Sequence, residues 1–377
     1  MKVPVAKPLF TNQVEKNIIE ALNDKAISGL FGNHIIEFEE NFAKFCDTKY
    51  AISCSSGTSA LHLALAANNI KKGDEVLVSS LTNMATFFAV MYLGAKPVPV
   101  DIEIDTLNID IKDLKKKISR NTKAIMVVHL FGHPVDMDPI IEIANKFNIP
   151  LFEDCAEAHG AEYKGKKVGG LSSAGCFSFF ANKILTTGEG GMVTTNDRKL
   201  AEKVKSLKSL AFGTNDKFQH TDIGYNYRLT NIQAAIGCEQ VQNADFLINK
   251  RIEIANFYTQ KLSKFKEFIL LPQEKDYAKN VYWMYHMVIN PSSKISGMRE
   301  KILEDLRKIG IETRQGFVPF NLQKIFIKQN LTKPDDCPVA ALTSNNSFYI
   351  PSGPDITNDE LNYVVSGFSS VLEKYIG

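Results

Sequence analysis

Residues 124–156 read AIMVVHLFGHPVDMDPIIEIANKFNIPLFEDCA. The stretch opens and closes on short apolar runs, AIMVVHLFG (124–132) and PLFEDCA (150–156). Between them, DPIIEIANKFN (138–148) carries apolar residues at helical spacing. Strand, helix and strand in succession make a crossover unit, which joins parallel neighbours in one sheet. Outward from it, EVLVSS (75–80) and KPVPVD (96–101) read as further buried strands, with SALHLALAANN (59–69) as a helix before them. GCFSFF (175–180) and GMVTTND (191–197) follow at closer spacing. The pattern predicts an α/β fold: a large domain with a mostly parallel mixed sheet flanked by helices. Ligands of such sheets gather beyond the carboxyl ends of the strands, so the polar residues just after each strand deserve inspection.

Beyond about residue 240 the texture changes. A helical pattern, NADFLINKRIEIANFYTQKLSKF, leads to an aromatic run, NVYWMYHMVI (280–289). The helix MREKILEDLRKIG and a strand with GIETRQGF follow. The expected organisation is a large domain over 1–248 and a smaller α+β domain over 249–377, with the first 30 residues packing on either. Length alone, 377 residues, favours two domains or one large α/β domain with an appendage.

The bulk composition excludes several functions. With 44 basic and 42 acidic residues the net charge is +2, so no global field draws the chain to nucleic acid or a membrane surface. Six scattered cysteines lack the paired spacing of a zinc site or a disulfide framework, and no metal is expected. The N-terminus MKVPVAKPLFTNQ lacks the apolar run of a signal peptide, and no stretch suits a bilayer, so a cytoplasmic location is expected.

Three elements carry chemistry. FSFFANKILTTGEGGMVTTND (177–197) sets Lys183 after an apolar strand and before a polar glycine loop. Burial lowers a lysine's proton affinity and frees the neutral amine for Schiff-base chemistry. Taken alone, the segment suits a surface lysine before a glycine turn better. Asp154, at the end of PLFEDCA, could pair with a protonated ring nitrogen, although a helix cap or magnesium ligand would use the same residue. In CSSGTSALHLAL (54–65) the helix start places the Gly57 and Thr58 amides where a phosphate can sit. Neither this segment nor GEGG carries a nucleotide or dinucleotide glycine fingerprint. A phosphate cup, a carboxylate for a ring nitrogen and a Schiff-base lysine together point to pyridoxal 5′-phosphate (PLP).

These residues resemble a known family. SSGTSALHLAL, EDCAEAHGAEYKGKKVG, FSFFANKILTTGEGGMVTTND and GYNYRLTNIQAAIG are similar to the DegT/DnrJ/EryC1/StrS sugar aminotransferases, and the likeness runs in order through almost the whole chain. It is strongest to the perosamine-synthase branch. The resemblance implies a fold-type-I PLP transferase acting as a homodimer with shared sites. It implies that Lys183 carries the cofactor and moves the proton, that Asp154 meets the ring nitrogen, and that Glu157 lies near the ring. Gly57, Thr58 and Ser178 would hold the phosphate, joined by Asn226 from the other subunit, with Arg228 ordering the shared site or holding an ion pair. Family members with histidine at the lysine position perform dehydration, so Lys183 favours amino transfer. The implied donor is L-glutamate, and the acceptor a keto-sugar of the GDP-4-keto-6-deoxymannose type destined for surface polysaccharide.

Two departures bear on the acceptor. Asn83 stands where the family has a ring-stacking aromatic, leaving Phe87 or Phe88 to fill in. Gln315 and Asn321 replace the family's proline and histidine near Arg314, a candidate for a phosphate or carboxylate. A smaller phosphorylated ketone or another keto-sugar stays open, as does a non-catalytic PLP-binding regulator. His220 is a candidate acceptor contact, and His159 could orient Asp154. His62 reads as a core histidine, and His129 and His133 as a turn near the site. Tyr282, Trp283 and Tyr285 read as core.

Overall fold

The computed structural model describes residues 1–213, 216–220 and 222–377. Strands β1 (Tyr50–Cys54), β2 (Glu75–Ser79), β3 (Lys96–Val100), β4 (Thr122–Val128) and β5 (Leu151–Asp154) belong to one large sheet. After a short hairpin, β6 (Glu162–Tyr163) and β7 (Lys166–Lys167), come two more of its strands, β8 (Ala174–Ser178) and β9 (Gly191–Thr195). The sheet order is β1-β9-β8-β5-β4-β2-β3. Every pairing from β8 to β3 is parallel, while β9 runs antiparallel to both its neighbours. The expected mixed, mostly parallel sheet is the one observed.

Alternation along each strand decides what covers the sheet. Val76 and Val78 face one side with Ala124, Met126 and Phe152, under the helices Gly57–Ala67, Met84–Tyr92 and Arg198–Lys208. Leu77 faces the other with Ile125, Val127 and Leu151, under the helices Ile111–Lys117 and Met137–Phe147. Burial on both faces explains why these strands read as continuous apolar runs.

The C-terminal part builds a second, antiparallel sheet. Its strands are β10 (Ile269–Leu270), β12 (Tyr285–Ile289), β13 (Arg314–Gln315) and β14 (Ser347–Ile350), in the order β10-β12-β14-β13. Strand β11 (Ala278–Lys279) instead pairs with β6 and ties this part to the first. The helix Ala244–Leu262 joins the two cores: Ala244, Leu247 and Ile248 pack into the first, and Ile254, Ala255, Tyr258 and Leu262 into the second. At the N-terminus, Val3 bridges to Ile311 and joins the second core, and Val5 joins the first.

The predicted strands are shorter than their sequence suggests, and three show it most clearly. Residues 129–132 form a turn, because Phe131 takes φ 52° and closes a helical turn over Leu130–Gly132. The run 280–289 is a strand only from Tyr285; Tyr282, at φ 47°, breaks the extended ladder. GIETRQGF contributes two strand residues, Arg314 and Gln315. All six cysteines are buried and unpaired, and among the described residues no helix is long and apolar enough to cross a membrane.

Candidate active site

At the carboxyl ends of β1, β2, β4, β5 and β8 lies a cavity of about 370 Å³. It is lined by Gly57, Thr58, Asn83, Asp154, Glu157, Ser178 and Lys183 from the first part of the chain, and by Trp283, Phe317 and Tyr349 from the second. A larger recess of about 470 Å³ sits at the opposite, amino ends of the strands. None of its titratable residues, Lys71, Asp74, Arg120 and Lys123, is buried, so it offers no perturbed group for chemistry.

Lys183 follows β8, with its side chain 10% exposed and its Nζ 3.7 Å from Glu157 Oε1. Burial lowers its proton affinity, opposed by the Glu157 and Asp154 carboxylates. Burial likewise pushes Glu157 up to about 7, against the pull of Lys183 and of the Phe131 N–H, which donates to Glu157 Oε2 at 2.8 Å. Phe131 itself takes a left-handed backbone conformation in the turn that faces the carboxylate. Asp154 ends β5, fully inside. Burial raises its pKa, and the Thr86 hydroxyl (2.8 Å), the Ala156 N–H (3.1 Å) and Lys183 pull it back.

The helix Gly57–Ala67 starts at the cavity wall. Ser56 caps it, accepting from Ser59 N at 3.1 Å, while Ser59 Oγ accepts from Ser56 N at 2.9 Å. This box satisfies the Ser59 amide and leaves those of Gly57 and Thr58 at the helix mouth, where the helix dipole favours an anion. Gly57 is required by close approach: a Cβ there would lie 2.7 Å from Ser178 Cβ. Asn182 Oδ1, on the same cavity, is buried without a partner among the described residues. An anion cup, a buried amine, two buried carboxyl groups and an unsatisfied acceptor fit a phosphorylated, protonated heterocyclic aldehyde.

Asn83 lines the cavity but spends its Oδ1 on the Ala85 N–H as the cap of the next helix. Neither phenylalanine fills in behind it: Phe87 is fully buried and stacks on Phe320 at 4.2 Å, and Phe88 leans on Tyr92 and Phe326. The aromatic walls come instead from Phe180, Trp283, Phe317 and Tyr349. Trp283 is buried in the first core, as its sequence suggests, and also faces the cavity; the sequence did not single out Phe317 or Tyr349.

Arg314 is exposed and paired with Glu312 at 2.5 Å, and His220 is exposed with its Nδ1 at 2.9 Å from Leu210 O; neither lines this cavity. Asn321 is buried and donates to Pro334 O and Cys337 O, bracing a loop, and is not among the residues lining this cavity. Asn226 is exposed, bridging to Ser209, and Arg228 Nη1 donates to Ser209 Oγ at 3.3 Å.

His159 does not orient Asp154. The chain turns after β5 and buries its ring against Phe42, Phe177 and Phe179, with both nitrogens unpartnered among the described residues and its pKa pushed down to about 3 by burial. Glu153, whose side chain points away from the cavity, gathers His129 Nε2, the Gly169 and Leu171 N–H groups and the Ser172 hydroxyl. His129, Glu153 and Cys155 cluster closely enough for a cation, but those donors already occupy the carboxylate. His62, packed on Tyr225 and Tyr227, is a core histidine.

Residues 10–369 match the DegT/DnrJ/EryC1/StrS aminotransferase family. The chain is 39% identical over 371 residues to the GDP-perosamine synthase of Caulobacter vibrioides, covering 98% of each. It is 38% identical to the GDP-perosamine synthase of Escherichia coli O157:H7, covering 96% of each. Among solved structures, an aminotransferase from Psychrobacter cryohalolentis superposes with a TM-score of 0.91 at 30% identity, over 98% of this chain and 99% of that one. With the cavity chemistry and these likenesses in agreement, the chain belongs to the DegT/DnrJ/EryC1/StrS aminotransferase family and is a sugar aminotransferase that uses PLP.

Proposed function

We propose that the enzyme transfers the amino group of L-glutamate to the ketone of a nucleotide-linked sugar of the GDP-4-keto-6-deoxymannose type, for surface polysaccharide. The observation that carries this reading is the gathering of Lys183, Glu157 and Asp154 beside the Gly57 helix start in one cavity. The nucleotide sugar follows from the named activity of the two GDP-perosamine synthases. A cytoplasmic location belongs to the same proposal, as does a division of the chain at 248/249.

In this reading the Gly57 and Thr58 amides and the Ser178 hydroxyl would hold the phosphate. Asp154 would pair with the protonated ring nitrogen, which removes much of the cost of keeping its charge buried. Bound there, PLP supplies the electron sink for the carbanion at the amino-bearing carbon. Lys183 Nζ, its proton affinity lowered by burial, would hold the cofactor and then take up and return the proton. Glu157 steadies Nζ in its protonated state. Trp283, Phe317 and Tyr349 exclude water from the reacting end.

A homodimer completes the proposal. Asn226 would serve the neighbouring subunit's phosphate site. Gly29 packs on Arg228 and Leu229, and Gly32 on Asn231, so the N-terminal segment borders the Asn226 loop. Ile19, Leu22, Ile27, Leu30, Phe31 and Ile36 leave apolar side chains exposed there, a surface that a second copy would cover.

The test is product analysis by mass spectrometry. With L-glutamate and GDP-4-keto-6-deoxymannose, the wild-type enzyme is expected to yield 2-oxoglutarate and an amino-sugar nucleotide. Turnover with smaller keto-phosphates alone would overturn the acceptor assignment and leave the chemistry intact.

A further inference from the structure

Trp283 is the only tryptophan in the chain, and its position is held at every polar atom. Its backbone N–H donates to Phe131 O at 3.0 Å, and its indole N–H donates to Asn182 O, beside Lys183, at 2.8 Å. Its carbonyl accepts from Arg251 Nη1 at 2.5 Å. So fixed, the indole face lies 3.8 Å from Lys183 Nζ. Glu157 Oε1 approaches the same nitrogen at 3.7 Å. A lysine stem is flexible, and these two contacts limit where its amine can go.

Arg251 is unusual. It lies in the helix that joins the two cores, is 2% exposed, and forms no ion pair with a carboxylate among the described residues. Its guanidinium donates instead to two carbonyls, Trp283 O and Ser352 O (3.3 Å). Burying a cation without a counter-ion is costly, and a neutral donor could tie one loop at less cost. Its Nη1 serves both carbonyls, so one buried nitrogen ties two backbone segments at once.

We propose that Trp283 is a positioning residue for Lys183, and that Arg251 is the anchor that keeps the indole over the amine. The inference rests on Lys183 carrying PLP and moving the proton, as proposed above. A displaced indole leaves the cofactor bound but lets Nζ wander from the reacting carbon, so the loss falls on kcat and spares KM.

Because Trp283 is the only tryptophan, its fluorescence reports on itself. The experiment compares the wild-type holoenzyme with Arg251→Gln, Arg251→Met, Trp283→Phe and Trp283→Leu. It reads acrylamide quenching, far-UV circular dichroism, the visible band of the lysine-bound cofactor, and the kinetics of the donor half-reaction. In folded Arg251 variants quenching is expected to rise severalfold while kcat falls about 10²-fold with KM near wild type, the scale expected for a misplacement of about 1 Å. Trp283→Leu is expected to lose kcat to a similar degree, and Trp283→Phe, which keeps a ring face, to recover much of it. Should Arg251 variants fail to fold, Trp283→Leu decides alone. An unchanged kcat in Trp283→Leu overturns the proposal, as does an Arg251 variant with a newly accessible tryptophan and wild-type kcat. Lys183→Ala separates the two readings: if it keeps the visible band, the role given to Lys183 fails and not merely the role of its neighbours.

Discussion

The Thr86 hydroxyl donates to Asp154 Oδ2 at 2.8 Å beneath the floor of the cavity, and Thr82 Oγ1 lies 3.0 Å behind it. Thr86 belongs to the first turn of the helix Met84–Tyr92, so the helix that follows β2 reaches across to the end of β5. A hydrogen bond to a charged group contributes about 1.5–3 kcal/mol. Thr86→Val should therefore raise the Asp154 pKa further, because burial already favours its neutral form. The acid limb of the kcat–pH profile is expected to move to higher pH, with kcat near neutrality down about tenfold, the effect of about 1.4 kcal/mol. Thr86→Ser should restore both. An unshifted acid limb in Thr86→Val would show that Asp154 does not depend on this bond.

Glu157 makes stability depend on pH. Its carboxyl titrates near 4.5 in the unfolded chain and is pushed up to about 7 by burial in the folded one. Between these values the folded state binds more protons, so unfolding free energy falls as pH rises. The stabilisation is fully present below 4.5 and lost as pH passes through about 7. Chemical denaturation of cofactor-stripped protein at pH 5 and pH 8 should show this loss. Glu157→Gln, which cannot ionise, should show a smaller loss, and an equal loss in the two proteins contradicts the assignment.

Gly57→Ala tests the anion cup. The added Cβ would fall 2.7 Å from Ser178 Cβ and 3.1 Å from its Oγ. Overpacking of this kind costs about 1–3 kcal/mol. The expected outcome is a modest drop in melting temperature and a PLP affinity weakened about tenfold or more, measured by titrating stripped enzyme. Wild-type affinity in this variant would remove the helix start from the phosphate site.

Shared sites predict complementation. Lys183→Ala and Asn226→Ala are each expected to be nearly inactive as homodimers. Mixed and allowed to exchange subunits, they should form heterodimers in which one of the two sites carries both native residues. Activity that returns on mixing supports Asn226 acting across the interface. No return, with heterodimers shown by native mass spectrometry, places Asn226 and Lys183 in the same subunit's site.

Much of the site was legible in the sequence because strand ends mark it. Asp154, Ser178 and Lys183 follow or close apolar runs, and the capped helix after Cys54 shows where Gly57 must lie. Residues brought in by packing between the two cores were not legible. Trp283 sits in an aromatic run that looks like a core strand, yet the chain is not extended at Tyr282 and the indole face meets Lys183. Phe317 and Tyr349 lie more than 130 residues from Lys183 in sequence and enter through the fold of the second sheet. His159 failed as a support for Asp154 because five residues of spacing say nothing about direction once the chain turns after β5. Phe87 failed as a stacking ring because its side of the helix faces Phe320.

The most direct test of the account follows the visible spectrum of the holoenzyme through two additions. L-glutamate is added first, excess donor is removed, and GDP-4-keto-6-deoxymannose is then added, with Lys183→Ala as control. The account predicts that glutamate bleaches the band of the lysine-bound cofactor, that the keto-sugar nucleotide restores it, and that Lys183→Ala shows no such band at the start. A band that neither glutamate nor the keto-sugar nucleotide alters would contradict it.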